Sequence, residues 1–192
     1  MPDKTKLVVG ISGASGAHYG VRLLEACKSR PIETHLVISK AGEITISQET
    51  EYTVSEVKAL ADQHYKSTDI GAAIASGSFQ TAAMIIAPCS VRSMSEIATG
   101  VTSSLLTRAA DVTLKEQRKL IIAIRETPLH LGHLRSLTQL SEMGAIIAPP
   151  VPAFYTKPRS IDEIVDQFVG HMLNLAGINN DLAQQWSGLR DS

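Results

Sequence analysis

At 192 residues, 44% hydrophobic and 19% charged, the chain has an ordinary globular balance and length for one domain with a full core. A formal net charge of -1 gives no bulk attraction for DNA or RNA, and no apolar run reaches the roughly 20 residues of a membrane span. The two cysteines, Cys27 and Cys89, sit in separate apolar segments and share no zinc spacing with histidine. Neither a disulfide framework nor a metal site is therefore expected.

The opening, Met1-Pro-Asp-Lys-Thr-Lys, lacks the basic-then-apolar layout of a secretory signal, which predicts a cytoplasmic protein. Next comes Leu7-Val-Val-Gly-Ile11, the first of five short runs rich in β-branched residues. The others are His35-Leu-Val-Ile38, Met84-Ile-Ile-Ala-Pro88, Leu120-Ile-Ile-Ala-Ile124 and Ala145-Ile-Ile-Ala148. Their length and branching predict strands buried on both faces. Helical stripes lie between them. Ala17, Val21, Leu24 and Cys27 form one, and Thr53-x-x-Glu56 reads as a capping box opening another. A helix is expected over 104–115, and one marked by Leu134, Leu137 and Met143 stops at Gly144. Ser160-x-x-Glu163 opens a last long helix ending near Gly177. Glu43-Ile-Thr-Ile-Ser47 alternates like a strand but follows Ser39-Lys40 where a helix is due.

Strand alternating with helix predicts an α/β fold: a doubly wound parallel sheet, Rossmann- or flavodoxin-like, in three αβα layers. With no linker or repeat, residues 1–192 read as a single domain. The tail, 178–192, carries the lone Trp186 and is expected to dock on the domain or on a neighbouring subunit.

Such sheets bind ligands beyond the carboxyl ends of their strands, so the residues after each run carry the information. After the first comes Gly10-Ile-Ser-Gly-Ala-Ser-Gly16. Glycines admit close backbone approach, and serine hydroxyls with the next helix's N–H groups suit a phosphate. The spacing is neither the dinucleotide fingerprint nor the P-loop, and a tight turn with a serine cap is the plain alternative. After the second stands Ser39, a phosphate contact or a helix cap. After the third comes Pro88-Cys-Ser-Val-Arg-Ser93, a second hydroxyl-rich turn. There Arg92 faces a cofactor or solvent, and Cys89 reads as a packed thiol.

Arg125-Glu-Thr-Pro-Leu129 follows the fourth run. Charge at a buried strand end is costly unless paired or used. Arg125 suits a phosphate clamp and Glu126 a general acid/base tuned by burial; a structural ion pair is the alternative. Pro149-Pro-Val-Pro-Ala-Phe-Tyr155 stiffens a loop that can present Tyr155 to an anion. Arg108 and Lys115, seven apart, share a helix face that suits a phosphate or solvent. His130 and His133 lack a third metal ligand.

In order along the chain, Gly-Ile-Ser-Gly-Ala-Ser-Gly at 10–16, His-Leu-Val-Ile-Ser-Lys at 35–40, Pro-Cys-Ser at 88–90, Arg-Ala-Ala-Asp-Val at 108–112, Arg-Glu-Thr-Pro-Leu at 125–129 and Pro-Ala-Phe-Tyr at 152–155 resemble the UbiX family of flavin prenyltransferases. Residues 125–135 are especially similar to bacterial members serving ubiquinone synthesis. The resemblance implies a reaction in which dimethylallyl phosphate is joined to reduced FMN at N5 and then C6. The prenylated FMN then serves a separate UbiD-type decarboxylase. It implies no metal, and a homo-oligomer, typically a dodecamer, with sites between subunits.

By the same resemblance, Gly13, Ala14, Ser15, Ser39, Ser90, Val91, Arg92, Ser93 and Arg125 contact FMN. Glu49, Arg108, Lys115, Glu126 and Tyr155 surround the prenyl phosphate. Glu126, with Ser15 as relay, is the implied base. The chain departs from the family at His171, a substrate-phosphate contact that depends on protonation where many members carry a longer residue or Arg, and at Ser103-Ser104, where relatives often carry Asp or Asn. Two other classes compete. A flavin-dependent cysteine decarboxylase would carry Pro-Ala-Ser-Ala-Asn-Thr where this chain has Pro-Cys-Ser-Val-Arg-Ser. A non-catalytic FMN-binding decarboxylase subunit would need no Arg125-Glu126 pair.

Overall fold

A computed structural model describes residues 4–186 and Gly188. Six strands form one parallel sheet: β1 (Thr5–Ile11), β2 (Ile32–Ile38), β3 (Gln63–Tyr65), β4 (Ala83–Cys89), β5 (Lys119–Ile124) and β6 (Ile146–Ile147). Their spatial order is β3-β2-β1-β4-β5-β6. The chain thus winds outward one way from β1, returns, and winds the other way from β4. The expected doubly wound α/β fold is present, and its topological switch lies between β1 and β4.

The helices are α1 (Ala17–Lys28), α2 (Lys40–Glu49), α3 (Val54–Leu60), α4 (Val91–Ala98), α5 (Leu105–Lys115), α6 (Leu131–Glu142) and α7 (Ile161–Ala176). Successive strand residues face opposite layers. Leu7, Val9 and Ile11 pack with Leu24 of α1 and Val169 of α7; Val8, Met84 and Ile86 pack with Leu106 of α5 and Met94 of α4. Covering both faces is what allows the strands to be apolar throughout, and β4 is buried at every residue.

The Thr53–Glu56 capping box forms, with Thr53 Oγ1 accepting from Glu56 N–H and the Glu56 carboxylate accepting from Thr53 N–H. The ambiguous stretch 43–47 is helix. Ser39 caps α2, and Gly42 lies so close to β1 that a Cβ there would sit 2.7 Å from the Ile11 carbonyl oxygen. The tail follows α7 as far as it is described. Asn180 donates from Nδ2 to the Gly170 carbonyl at 2.9 Å, Gln184 N–H donates to Gln167 Oε1 at 2.8 Å, and Trp186 sets its ring edge-on to Tyr155. Residues 187 and 189–192 of that tail lie outside the described residues.

Candidate active site

The two turns that flank the switch are tied to each other. Ser12, fully buried, donates from Oγ to the Pro88 carbonyl at 3.0 Å and accepts from Ser90 N–H at 2.7 Å. One hydroxyl so welds the end of β1 to the end of β4. Its partners are more than 70 positions away in the chain, so only its place in the glycine-rich turn pointed to it.

The first cavity opens at this rim, with a volume of about 630 Å³. Gly13, Ala14 and Ser15 form one wall and Ser39 with Lys40 the next. Ser90, Val91, Arg92 and Ser93 form the third, and Arg125 and Glu126 close it. Four chain-distant turns therefore converge. Gly13 is required by close approach: a Cβ there would collide with that of Ala41 and lie 3.0 Å from the Ala41 carbonyl carbon. Ser39 accepts from Gly42 N–H and Ser90 from Ser93 N–H, so both serines are helix caps. A capping oxygen accepts through a lone pair, so the Ser39 hydroxyl keeps its proton to donate to a phosphate, whereas Ser90 donates its own to Ser93 Oγ at 3.2 Å. Sequence reasoning did not single out Ser67, Thr68 or Glu96, which also line this cavity.

A second cavity, about 1150 Å³, adjoins the first and shares Ser15 and Arg125 with it. Glu49 lies on its wall and corrects one expectation. The first amides of α1 are not open to an external phosphate. Gly16 and Ala17 N–H donate to Glu49 Oε2 at 2.7 and 3.0 Å. The carboxylate occupies the helix's anion position. Burial by itself would raise the Glu49 carboxyl. Hydrogen bonds from Ala17, Gly16 and Ser15, and nearby His18, outweigh that and hold it below the ordinary range. Cys89 is a packed thiol, as expected: burial pushes it up to about 12.

Arg125 and Glu126 are both exposed. The cost of burying charge, which made this step conspicuous in the sequence, is not incurred within the protomer. The Glu126 carboxylate accepts from Thr127 N–H at 2.9 Å. Arg92 is 83% exposed at its side chain and pairs with Glu96.

Four expected substrate contacts line neither cavity of the protomer. Arg108 pairs with Asp111 at 2.6 Å. Lys115 pairs with Glu116 and lies beside Gly77, at the end of α5 that feeds the start of β5. Seven helical positions separate Arg108 and Lys115 by about 10 Å along the axis, on one face of the helix. Tyr155 is exposed, its hydroxyl 3.5 Å from the Gln184 carbonyl, and His171 is exposed on α7. Among the described residues no cluster of metal-ligating side chains occurs, and no helix is long and apolar enough to cross a membrane.

A family model described as Flavoprotein matches residues 1–175. The flavin prenyltransferase UbiX of Escherichia coli is 54% identical over 186 residues, spanning 95% of this chain and 98% of that protein. The crystal structure of AnUbiX in complex with FMN and dimethylallyl pyrophosphate superposes with a TM-score of 0.95 at 43% identity, over 97% of this chain and 100% of that one. A dodecameric FMN-dependent UbiX-like decarboxylase from Escherichia coli O157:H7 gives 0.94 at 45% identity, over 96% and 100%.

Proposed function

The chain belongs to the UbiX-type family of flavin prenyltransferases, and on that premise we propose how its two cavities divide the work. It is a prenyltransferase that transfers a dimethylallyl group to FMN. We assign FMN to the first cavity and dimethylallyl phosphate to the second. The residues present fit FMN. Glycine admits close approach at Gly13, hydroxyls line the rim, and Lys40, Arg92 and Arg125 supply positive charge for the phosphate. The observation that carries the reading is the shared wall of Ser15 and Arg125, which sets the two cavities side by side.

Reduced FMN, when bound, supplies the nucleophilic N5 and C6. The residues of the chain do the rest. Arg125 neutralises the phosphate that leaves the allylic carbon, in a site that neighbouring subunits of the oligomer close against water. Glu126 accepts the proton lost as the second bond closes, with Ser15 as relay. Glu49, fixed on the α1 amides, holds the Gly13–Gly16 turn in place. Arg108, Lys115, Tyr155 and His171 reach the donor phosphate from neighbouring subunits of a homo-oligomer, a dodecamer like that of the Escherichia coli O157:H7 relative. The product goes to a UbiD-type decarboxylase, as in ubiquinone synthesis. The two free, buried cysteines suit a reducing cytoplasm. A passive flavin-binding subunit would have no use for the second cavity or for Glu126 next to Arg125 of the shared wall.

The deciding assay incubates the protein with reduced FMN and dimethylallyl phosphate without oxygen. The expected products are free phosphate and a flavin heavier by one dimethylallyl unit. Unchanged FMN with no phosphate released overturns the division of labour. Glu126→Gln should bind FMN normally and slow turnover by about 100-fold or more; full activity removes Glu126 from the mechanism.

A further inference from the structure

Two carboxylates line the flavin cavity, Glu96 and Glu126. Glu126 is exposed, whereas the side chain of Glu96 is 18% exposed and held from two sides. Ser103 donates from Oγ to Glu96 Oε2 at 2.6 Å, and Arg92 donates from Nε to Oε1 at 2.9 Å. Burial would raise this carboxyl; the bonds from Ser103 and Arg92 outweigh it and bring it below its ordinary range. Glu96 therefore stands charged at neutral pH.

A fixed carboxylate accepts and never donates. It has about four lone-pair positions, and only two are used here. It repels the FMN phosphate and every acceptor atom of the flavin ring. Ribityl hydroxyls donate, but they also accept and can turn to the many serines of this wall. The imide N3–H is the ring group that only donates, in both oxidised and reduced flavin. Its flanking carbonyls are acceptors, which the Ser104 hydroxyl of the same wall can serve, the Ser103 proton being committed to Glu96. We propose that Glu96 is the acceptor for the flavin N3–H. The pyrimidine edge of the ring then points at α4 and the 103–104 turn, which fixes which ring edge faces Ser15, Arg125 and the donor cavity. The assignment rests on FMN occupying the first cavity.

The test titrates flavin-free protein with FMN and with FMN methylated at N3, following flavin fluorescence. The wild-type protein should bind FMN about tenfold or more tighter than the methylated flavin, the effect of one hydrogen bond to a charged group. Glu96→Ala should bind the two within about twofold of each other, on the same scale. Should Glu96→Ala fail to fold, Ser103→Ala frees the carboxylate and should shrink the preference. An equal loss of affinity for both flavins in Glu96→Ala, with the preference intact, makes Glu96 only a helix ion pair and overturns the assignment. No preference in the wild-type protein overturns it too. Failure of the wild-type protein to bind FMN at all overturns instead the placement of FMN.

Discussion

Replacing Glu49 with Ala removes the one group that satisfies both leading amides of α1. The lost interactions are two charge-assisted hydrogen bonds, at 2.7 and 3.0 Å, to the positive end of a 12-residue helix. Fully buried, each would be worth about 1.5–3 kcal/mol. Glu49 is only partly buried, so solvent screening and replacement by water bring the pair to about 1–2 kcal/mol together. For a chain of this length that lowers Tm by about 2–8 °C, measured by circular dichroism at pH 7.5. The sign with pH follows from the depressed carboxyl. Its contribution is fully present above the unfolded value near pH 4.3 and is lost as pH falls through the lower folded value. The difference between wild-type and Glu49→Ala protein should therefore shrink below about pH 4. Equal Tm values at pH 7.5, or a gap unchanged on acidification, would refute the view that this carboxylate caps α1.

Gly13→Ala must push the first turn away from Ala41, so FMN affinity should fall by about tenfold or more, consistent with an overpacking strain of 1–3 kcal/mol; a wild-type dissociation constant would show that the turn yields freely. Sites built across subunits predict complementation. Lys115→Ala and Glu126→Gln should each be nearly inactive alone, yet mixed oligomers made by co-expression should regain measurable prenyl transfer, because some sites then take Glu126 and Lys115 from two intact copies. Absence of recovery in verified mixed oligomers would place both residues in one subunit's site.

The five β-branched runs are strands because a strand buried on both faces is apolar throughout, and that signal is local. The sixth strand, β3, was not readable. Gln63-His-Tyr65 is a polar three-residue edge strand, and only its pairing with His35–Val37 of β2 makes it one. The stretch 43–47 shows the same limit: Ile46 is buried while Ile44 is 60% exposed, so alternation was a poor guide and the Ser39 cap decided.

For the site, sequence by itself determined which turns meet at the first cavity, those after β1, β2, β4 and β5, because a parallel strand delivers its next residues to the carboxyl rim wherever the strand sits in the sheet. Tertiary structure decided what each residue does there. Glu49 meets Gly16 across 33 positions, Ser12 meets Ser90 across 78, and Glu96 looks like an ordinary helix-pair partner of Arg92 until Ser103 is folded against it. Arg108 and Lys115 share a helix, yet its axis carries Lys115 toward the start of β5, away from the carboxyl rim. Periodicity and turn chemistry act over a few residues and are written along the chain. Partners brought together by winding a sheet outward in two directions from one switch point are set by where the strands lie, and no local pattern encodes that.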